Sequence, residues 1–501
     1  MENKIKFRNH GSVIFENSLK AVSAIIAAFS LSFISDIGES GIQSGDILML
    51  VGIIVGALAL VLGYQTLIWA KTYISIDENT LVIERNTLNK KKNTIGLKNV
   101  SNVNLEQNLL EMVLGTCKVK LDTNSLSTAD QTDVNIVLKK VDAEQFRALV
   151  LARAEGMEMA EAIQHIAKNE AMTAGEKPSE AGSLLRGDLG DIILHGLFSI
   201  RISAIIFFFG ILIFEVVIMS GMLEGEAEVD FAEIISIAFT GFWMAAAALW
   251  GIVKEFVKYF NFNIERKKDK VYLNYGLFKK IAYSVPVDKI NGIRLTQTPI
   301  ARMAKRYMVE IINVGMDDDS NEVNTFFLPY AKLDKIKDQL HILLPEFDEA
   351  LEIKEEKQPA VIWLLSIPWW ILYIVIVVLA YILAATYLTD SEVRSMVGIG
   401  ILCAAAAIAV LRLIFKLAGF FTKGIKVGER FLKIVDGGFG KRMLFVKYDK
   451  IQYVTGSQCI LAKHFKIQKG TIALLASLKN RMHELPYFKE NDMEQLKNKL
   501  I

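Results

Sequence analysis

Cysteine is nearly missing from this chain. Three residues in 501, Cys117, Cys403 and Cys459, stand far apart without a CxxC spacing, which excludes a disulfide framework and a thiolate metal site. An excess of charge is missing as well: 57 basic against 55 acidic side chains leave +2, which argues against a nucleic-acid binder that works by bulk charge. Catalytic motifs are absent too. Gly437-Gly438-Phe439-Gly440-Lys441 lacks P-loop spacing and the following Ser or Thr, and reads as a hairpin turn. The histidines, His10, His165, His195, His341, His464 and His483, form no HExxH or other ligand pair. Asp317, Asp318, Asp319 and Glu322 lack the EF-hand spacing and its glycine, and read as a solvated hairpin loop. With no serine, histidine and acid placed by motif, neither an enzyme nor a metal or cofactor is expected.

Apolar residues are abundant instead, at 52% with 22% charged. A helix needs roughly 20 apolar residues to cross a hydrocarbon core. Ile47 to Ala70, Ile234 to Val253 and Ala360 to Thr389 contain no charge, and Ser395 to Leu411 is extended by Arg412 and Lys416 snorkelling. Val13 to Ser35, with Glu16 and Lys20, and Ile192 to Leu223, with Arg201 and Glu215, complete six expected spans. A cleaved signal peptide is the other reading of the first. Arg201 and Glu215 either snorkel to opposite faces or mark a polar path. Pro368, Trp369 and Trp370 suit an interfacial position.

Basic flanks mark the cytosolic side. The connections Asp36 to Asp46, Gly221 to Glu233 and Thr389 to Arg394 are acidic, with Arg394 their one basic residue, while Lys4, Lys6, Arg8, Lys71, Arg186, Lys254, Lys258, Lys416 and Lys423 crowd the other flanks. Both termini and the polar segments are therefore expected in the cytosol.

Those polar segments repeat. Aligning Val100, Ile290 and Ile451 superposes residues 73–121, 263–311 and 424–472 without a gap, and apolar residues coincide at Ile74/Ile264/Ile425, Leu81/Val271/Leu432, Ile83/Leu273/Ile434, Leu88/Phe278/Phe439, Ile95/Val285/Val446, Val103/Ile293/Val454 and Leu121/Ile311/Ile472. Period-two alternation predicts strands, with a tight turn of positive φ at Asn86, Gly276 and Gly437. Capping-box spacing at Asp142/Gln145 and Asp492/Gln495, and helical spacing over Leu333 to Leu344, predict a closing helix. The first is expected to run on to about Glu170, its apolar face (Phe146, Leu149, Val150, Met157, Ala160, Ile163) packing on a neighbouring unit or on lipid.

These features resemble the bacterial pleckstrin-homology-like (PH-like) membrane proteins of the YdbT type, whose unit is two membrane helices and one PH-like domain. The local likeness lies in Val285-Pro286-Val287-Asp288-Lys289-Ile290 and in a helical turn ending in glycine, kept at Gly115 but replaced by Lys305 and Lys466. The expected fold is mixed: six transmembrane helices in three pairs (1–71, 192–258, 360–420) plus three cytosolic PH-like β-barrel or sandwich domains (72–170, 259–350, 421–501), each with a C-terminal helix, joined by linkers 171–191 and 351–359. The expected role is a non-catalytic scaffold in the bacterial inner membrane, with a lipid or small-solute transporter or channel as the alternative and a lipid enzyme third. The resemblance also implies assembly with a smaller one-unit relative; a homo-oligomer is the other expected partner, and nucleic acid is not expected. Strand one leaves the bilayer and strand two returns, so the next turn falls back at the surface. It carries an apolar tip beside cations: Leu88 with Lys90, Lys91 and Lys92; Phe278 with Lys279 and Lys280; Phe439 with Lys441 and Arg442. Anionic lipid headgroups are the expected ligand.

Overall fold

A computed structural model describes residues 5–19, 44–77, 79–87, 89–123, 136–154, 156–157, 161, 183–200, 210–211, 213, 231–313, 326–388, 390–476 and 478–500. Seven strands recur in each third of the chain. The first third holds β1 (Ile5–Phe7), β2 (Thr72–Ile76), β3 (Thr80–Asn86), β4 (Lys90–Gly96), β5 (Val100–Gln107), β6 (Thr116–Thr123) and β7 (Ile136–Lys139). The second holds β8 (Ser183–Arg186), β9 (Asn263–Lys267), β10 (Lys270–Tyr275), β11 (Lys280–Pro286), β12 (Ile290–Gln297), β13 (Arg306–Asn313) and β14 (Phe326–Lys332). The last holds β15 (Glu356–Lys357), β16 (Gly424–Val427), β17 (Phe431–Gly437), β18 (Lys441–Lys447), β19 (Ile451–Ser457), β20 (Ile467–Leu474) and β21 (Met482–Lys489).

The chain packs as two compact units, one of Met1–Gly182 with Tyr272–Pro286, the other of Ser183–Val271 with Val287–Ile501. In the first, β1-β2-β3-β4 form an antiparallel sheet, and β7-β6-β5 form another that β11 extends along the outer edge of β5. The helix Lys140–Ala154 closes this sandwich with Phe146, Leu149 and Val150, buried against Ile74, Leu81, Val103 and Val119. In the second unit, β8 pairs with β9. A seven-stranded sheet there runs β14-β13-β12-β18-β17-β16-β15, and β19-β20-β21 form a sheet of three. Its core unites Leu432, Ile434 and Val446 with Ile472, Leu485 and the closing helix Glu490–Asn498 through Met493 and Leu496.

The aligned columns are the cores. Every described member is buried except Leu121, Ile451 and Val454, which are partly so, and the hairpin residues Phe278 and Phe439, which are exposed. Three finer features repeat with them. Gln107, Gln297 and Gln458 each donate from Nε2 to the carbonyl that opens the sixth strand, Thr116 (2.8 Å), Arg306 (2.9 Å) and Ile467 (3.1 Å). Asn108, Thr298 and Cys459 each cap the short helix that follows. That helix ends in left-handed backbone at Gly115 (φ 65°), Lys305 (φ 51°) and Lys466 (φ 52°). The replaced glycine thus keeps its conformation, and the lysines bear its strain.

Several expectations change. The strands β1, β8 and β15 lie in segments read as a basic flank and as linkers. Each precedes a helix segment yet pairs with the strand after it, Phe7 opposite Ile74, Leu185 opposite Ile264 and Glu356 opposite Ile425. Asn86 lacks positive φ, whereas Gly276 (112°) and Gly437 (134°) have it. At Gly276 a Cβ would fall 1.8 Å from the Lys279 carbonyl oxygen, so the turn admits only glycine. Asp142 and Asp492 lie inside the first helical turn rather than at the cap, because β7 and β21 run straight into their helices; the carboxylates still oppose the helix dipole there.

Among the described residues two helices, not six, are long and apolar enough to cross a membrane, Ala360–Tyr387 and Ser391–Thr422. Ser44–Ala70 and Phe231–Lys258 are helices of 27 and 28 residues, and most of 13–35 and 192–223 lies outside the described residues. The described starts of those last two segments each touch protein. Glu16 pairs with Lys118 at 3.6 Å, and the helix Leu189–Phe198 buries Ile192, His195 and Phe198 before stopping at Ser199. Pro368 sits in the first turn of the helix Ile367–Tyr387, where its missing N–H costs nothing.

Candidate functional site

The third hairpin turn meets the end of a membrane-length helix. Thr422, the last residue of Ser391–Thr422, donates from Oγ1 to the Gly438 carbonyl at 3.0 Å, and Arg302 donates to that carbonyl (2.8 Å) and to Thr422 Oγ1 (2.9 Å). Phe439 then stacks edge-on against Phe415, two turns back along the helix, with ring centroids 5.0 Å apart. The first turn has the same placement: Asn86 donates its N–H to the carbonyl of Lys71, directly after the helix Ser44–Ala70, at 2.9 Å. An antiparallel hairpin whose first strand leaves a helix must bring its second strand back to that helix, and the register Thr72 opposite Arg85 shows it doing so.

The cations beside the turns are not equally available. Lys92 pairs with Glu84 (2.9 Å), Lys279 with Glu106 (3.4 Å), Lys441 with Glu355 (2.9 Å) and Arg442 with Asp436 (2.8 Å). Burial alone would raise the Glu355 carboxyl, but the ammonium groups of Lys433 and Lys441 hold it down at about 2. Lys90, Lys91 and Lys280 are exposed and carry no ion pair among the described residues. At about 1 kcal/mol per cation near an anionic surface, three free lysines give about 3 kcal/mol, less than half of what all seven would. Leu88 lies outside the described residues; Phe278 is 50% and Phe439 39% exposed.

A sequence model of the bacterial PH domain matches residues 21–154, 228–343 and 339–501. The chain belongs to this family. Each match takes in one copy of the repeat, so the bacterial PH domains here are three in tandem. No curated protein and no solved structure matches the chain.

Two further sites were not legible in the sequence. Between the helices Ile367–Tyr387 and Ser391–Thr422 a groove of about 570 Å³ is lined by Trp369, Trp370, Arg412, Phe415 and Lys416. Arg412 lies 5.6 Å over the Tyr373 ring and Lys416 4.6 Å over Trp363, a cation–π arrangement at one end of the helix pair. In the second unit His195 is buried among Tyr259, Phe326 and Tyr330, and accepts the Tyr330 N–H on Nδ1 at 3.4 Å. Burial first and Lys258 second push its pKa down to about 3. It packs as a neutral aromatic ring, and no spacing motif announces it.

Proposed function

We propose that this chain is an integral scaffold of the bacterial inner membrane: six spans in three pairs, both termini in the cytosol, and three PH-like domains whose hairpin turns rest on anionic headgroups. The observation that carries the reading is the contact of the third turn with its helix, Thr422 on Gly438 and Phe415 on Phe439. A turn fixed there stands at the level where an apolar helix leaves the bilayer, and its exposed phenylalanine can enter the headgroup layer. The spans already anchor the chain, so about 3 kcal/mol from three lysines would orient the domains rather than hold the protein. The aromatic and cationic groove beside Trp369, Trp370, Arg412 and Lys416 suits a headgroup over an acyl chain. The scaffold is non-catalytic in this reading.

The test uses full-length protein in nanodiscs with and without anionic lipid. Amide exchange at 276–280 and 437–442 should slow with anionic lipid, and high salt should reverse the effect. Replacing Lys280 by Ser should remove the lipid dependence at 276–280. Exchange that ignores lipid charge would reject the headgroup contact.

A further inference from the structure

Two seams join successive repeats, and they are the same seam. In the first unit β11, the fourth strand of the second repeat, adds to β5, the fifth of the first, with Lys280 opposite Gln107, Ile281 opposite Glu106 and Ala282 opposite Leu105. In the second unit β18 adds to β12 with Lys441 opposite Gln297, Arg442 opposite Thr296 and Met443 opposite Leu295. In the repeat alignment these are identical columns in identical register. Each fourth strand is thus built to receive the fifth strand of the repeat before it.

Among the described residues two strands lack that partner. β4 ends its sheet, and so does β19. Their exposure differs from that of their counterparts: most of β12 is buried, whereas Gln452, Tyr453, Thr455, Gly456 and Ser457 on β19 are exposed. Lys90, Lys91, Lys92 and Thr94 are exposed on β4, while β11 and β18 are largely buried. The apolar surface follows the same logic. Pro299 packs 3.7 Å from the Cβ position of Gly440 at the second seam, and Ile460, which occupies the same column at the bare end, is 91% exposed.

We infer that β4 of one copy of this chain pairs antiparallel with β19 of another, in the register the two internal seams share. Lys90 then stands opposite Gln458, Lys91 opposite Ser457, Lys92 opposite Gly456 and Asn93 opposite Thr455. Lysines commonly guard an edge strand against pairing, but here they do not: β11 and β18 carry Lys280, Lys441 and Arg442 and pair nonetheless. A second copy is the occupant because it brings the one edge already fitted in this way twice. The two edges differ, so the contact is head-to-tail and each copy keeps one edge of each kind for the next.

Full-length chains with Cys403→Ala and Cys459→Ser are co-expressed in one membrane, one carrying Lys91→Cys and the other Ser457→Cys, and oxidised. Antiparallel neighbours come close enough for a disulfide. A covalent dimer of the two is expected, with little product from Lys91→Cys and Tyr453→Cys, four residues out of register. The wild-type chain in mild detergent should be larger than a monomer. A monomer, equal cross-linking in both registers, no cross-link at all, or capture of a different PH-like chain by Lys91→Cys in place of a second copy would each overturn the inference.

Discussion

Ser284 lies on β11 where the hairpin of the second repeat joins β5 of the first, 1% exposed beside Asn102 at 4%. Its hydroxyl donates to Asn102 Oδ1 at 2.7 Å and accepts from Arg147 Nη2 at 3.2 Å, while Asn102 Nδ2 donates to the Ser284 carbonyl. Burial already lowers the Arg147 pKa, so that guanidinium has little solvent to replace a lost partner. Ser284→Ala removes two hydrogen bonds, the neutral one to Asn102 and the one from the Arg147 guanidinium, and leaves Oδ1 and the arginine under-satisfied, for a total of at least about 2 kcal/mol. Hydrogen exchange of the β11 amides reads this as local opening, and about 2 kcal/mol corresponds to roughly thirty-fold faster exchange. Asn102→Ala should cost a similar amount and the double variant less than the sum, because the two share one bond. Unchanged β11 exchange in Ser284→Ala would refute the claim that this network holds the seam.

Other positions give sharper signs. His195 has an unfolded pKa near 6.5 and a folded one of about 3, so its stability contribution is present above pH 6.5 and is lost as pH falls towards 3. Near pH 5 the loss is about 2 kcal/mol, and thermal melts at pH 7 and pH 5 should show a smaller gap in His195→Phe than in the wild type; an equal gap would reject the assignment. Lys305→Gly and Lys466→Gly relieve left-handed backbone but loosen the unfolded chain, leaving a gain of at most about 1 kcal/mol, whereas Gly115→Lys should destabilise; urea titration compares all three, and a loss at 305 would deny the strain. Gly437→Ala sets a Cβ 2.4 Å from the Gly440 carbonyl oxygen at φ 134°, so proteolysis at the third hairpin should accelerate well beyond that of Gly438→Ala.

The repeated columns were legible because a core tolerates only apolar side chains, and the same requirement recurred at Ile74, Ile264 and Ile425. The turn glycines were legible for a comparable steric reason at Gly276 and Gly437 but misled at Asn86, where a polar residue fits an ordinary strand end. Strands β1, β8 and β15 are not legible in the sequence because two to four residues are too few to show a period. Their partners lie beyond an intervening helix segment, so nothing local marks them. The candidate lipid site was legible as charge and aromatic character, but the acids that neutralise Lys279 and Lys441, Glu106 and Glu355, lie far away in sequence. The span expected from Ile192 starts too early, with Ile192, His195 and Phe198 buried in protein, because hydropathy does not separate lipid from a sheet as the apolar neighbour.

Depth in the bilayer decides whether the third domain rests on the membrane. A fluorophore attached at Phe439→Cys, in full-length protein reconstituted with lipids bearing a headgroup quencher, should be quenched strongly. The same probe at Arg430→Cys, in the turn at the opposite end of β17, should stay bright. Equal brightness at the two positions, or quenching at 430 alone, would contradict a PH-like domain that rests its β17–β18 turn on the membrane.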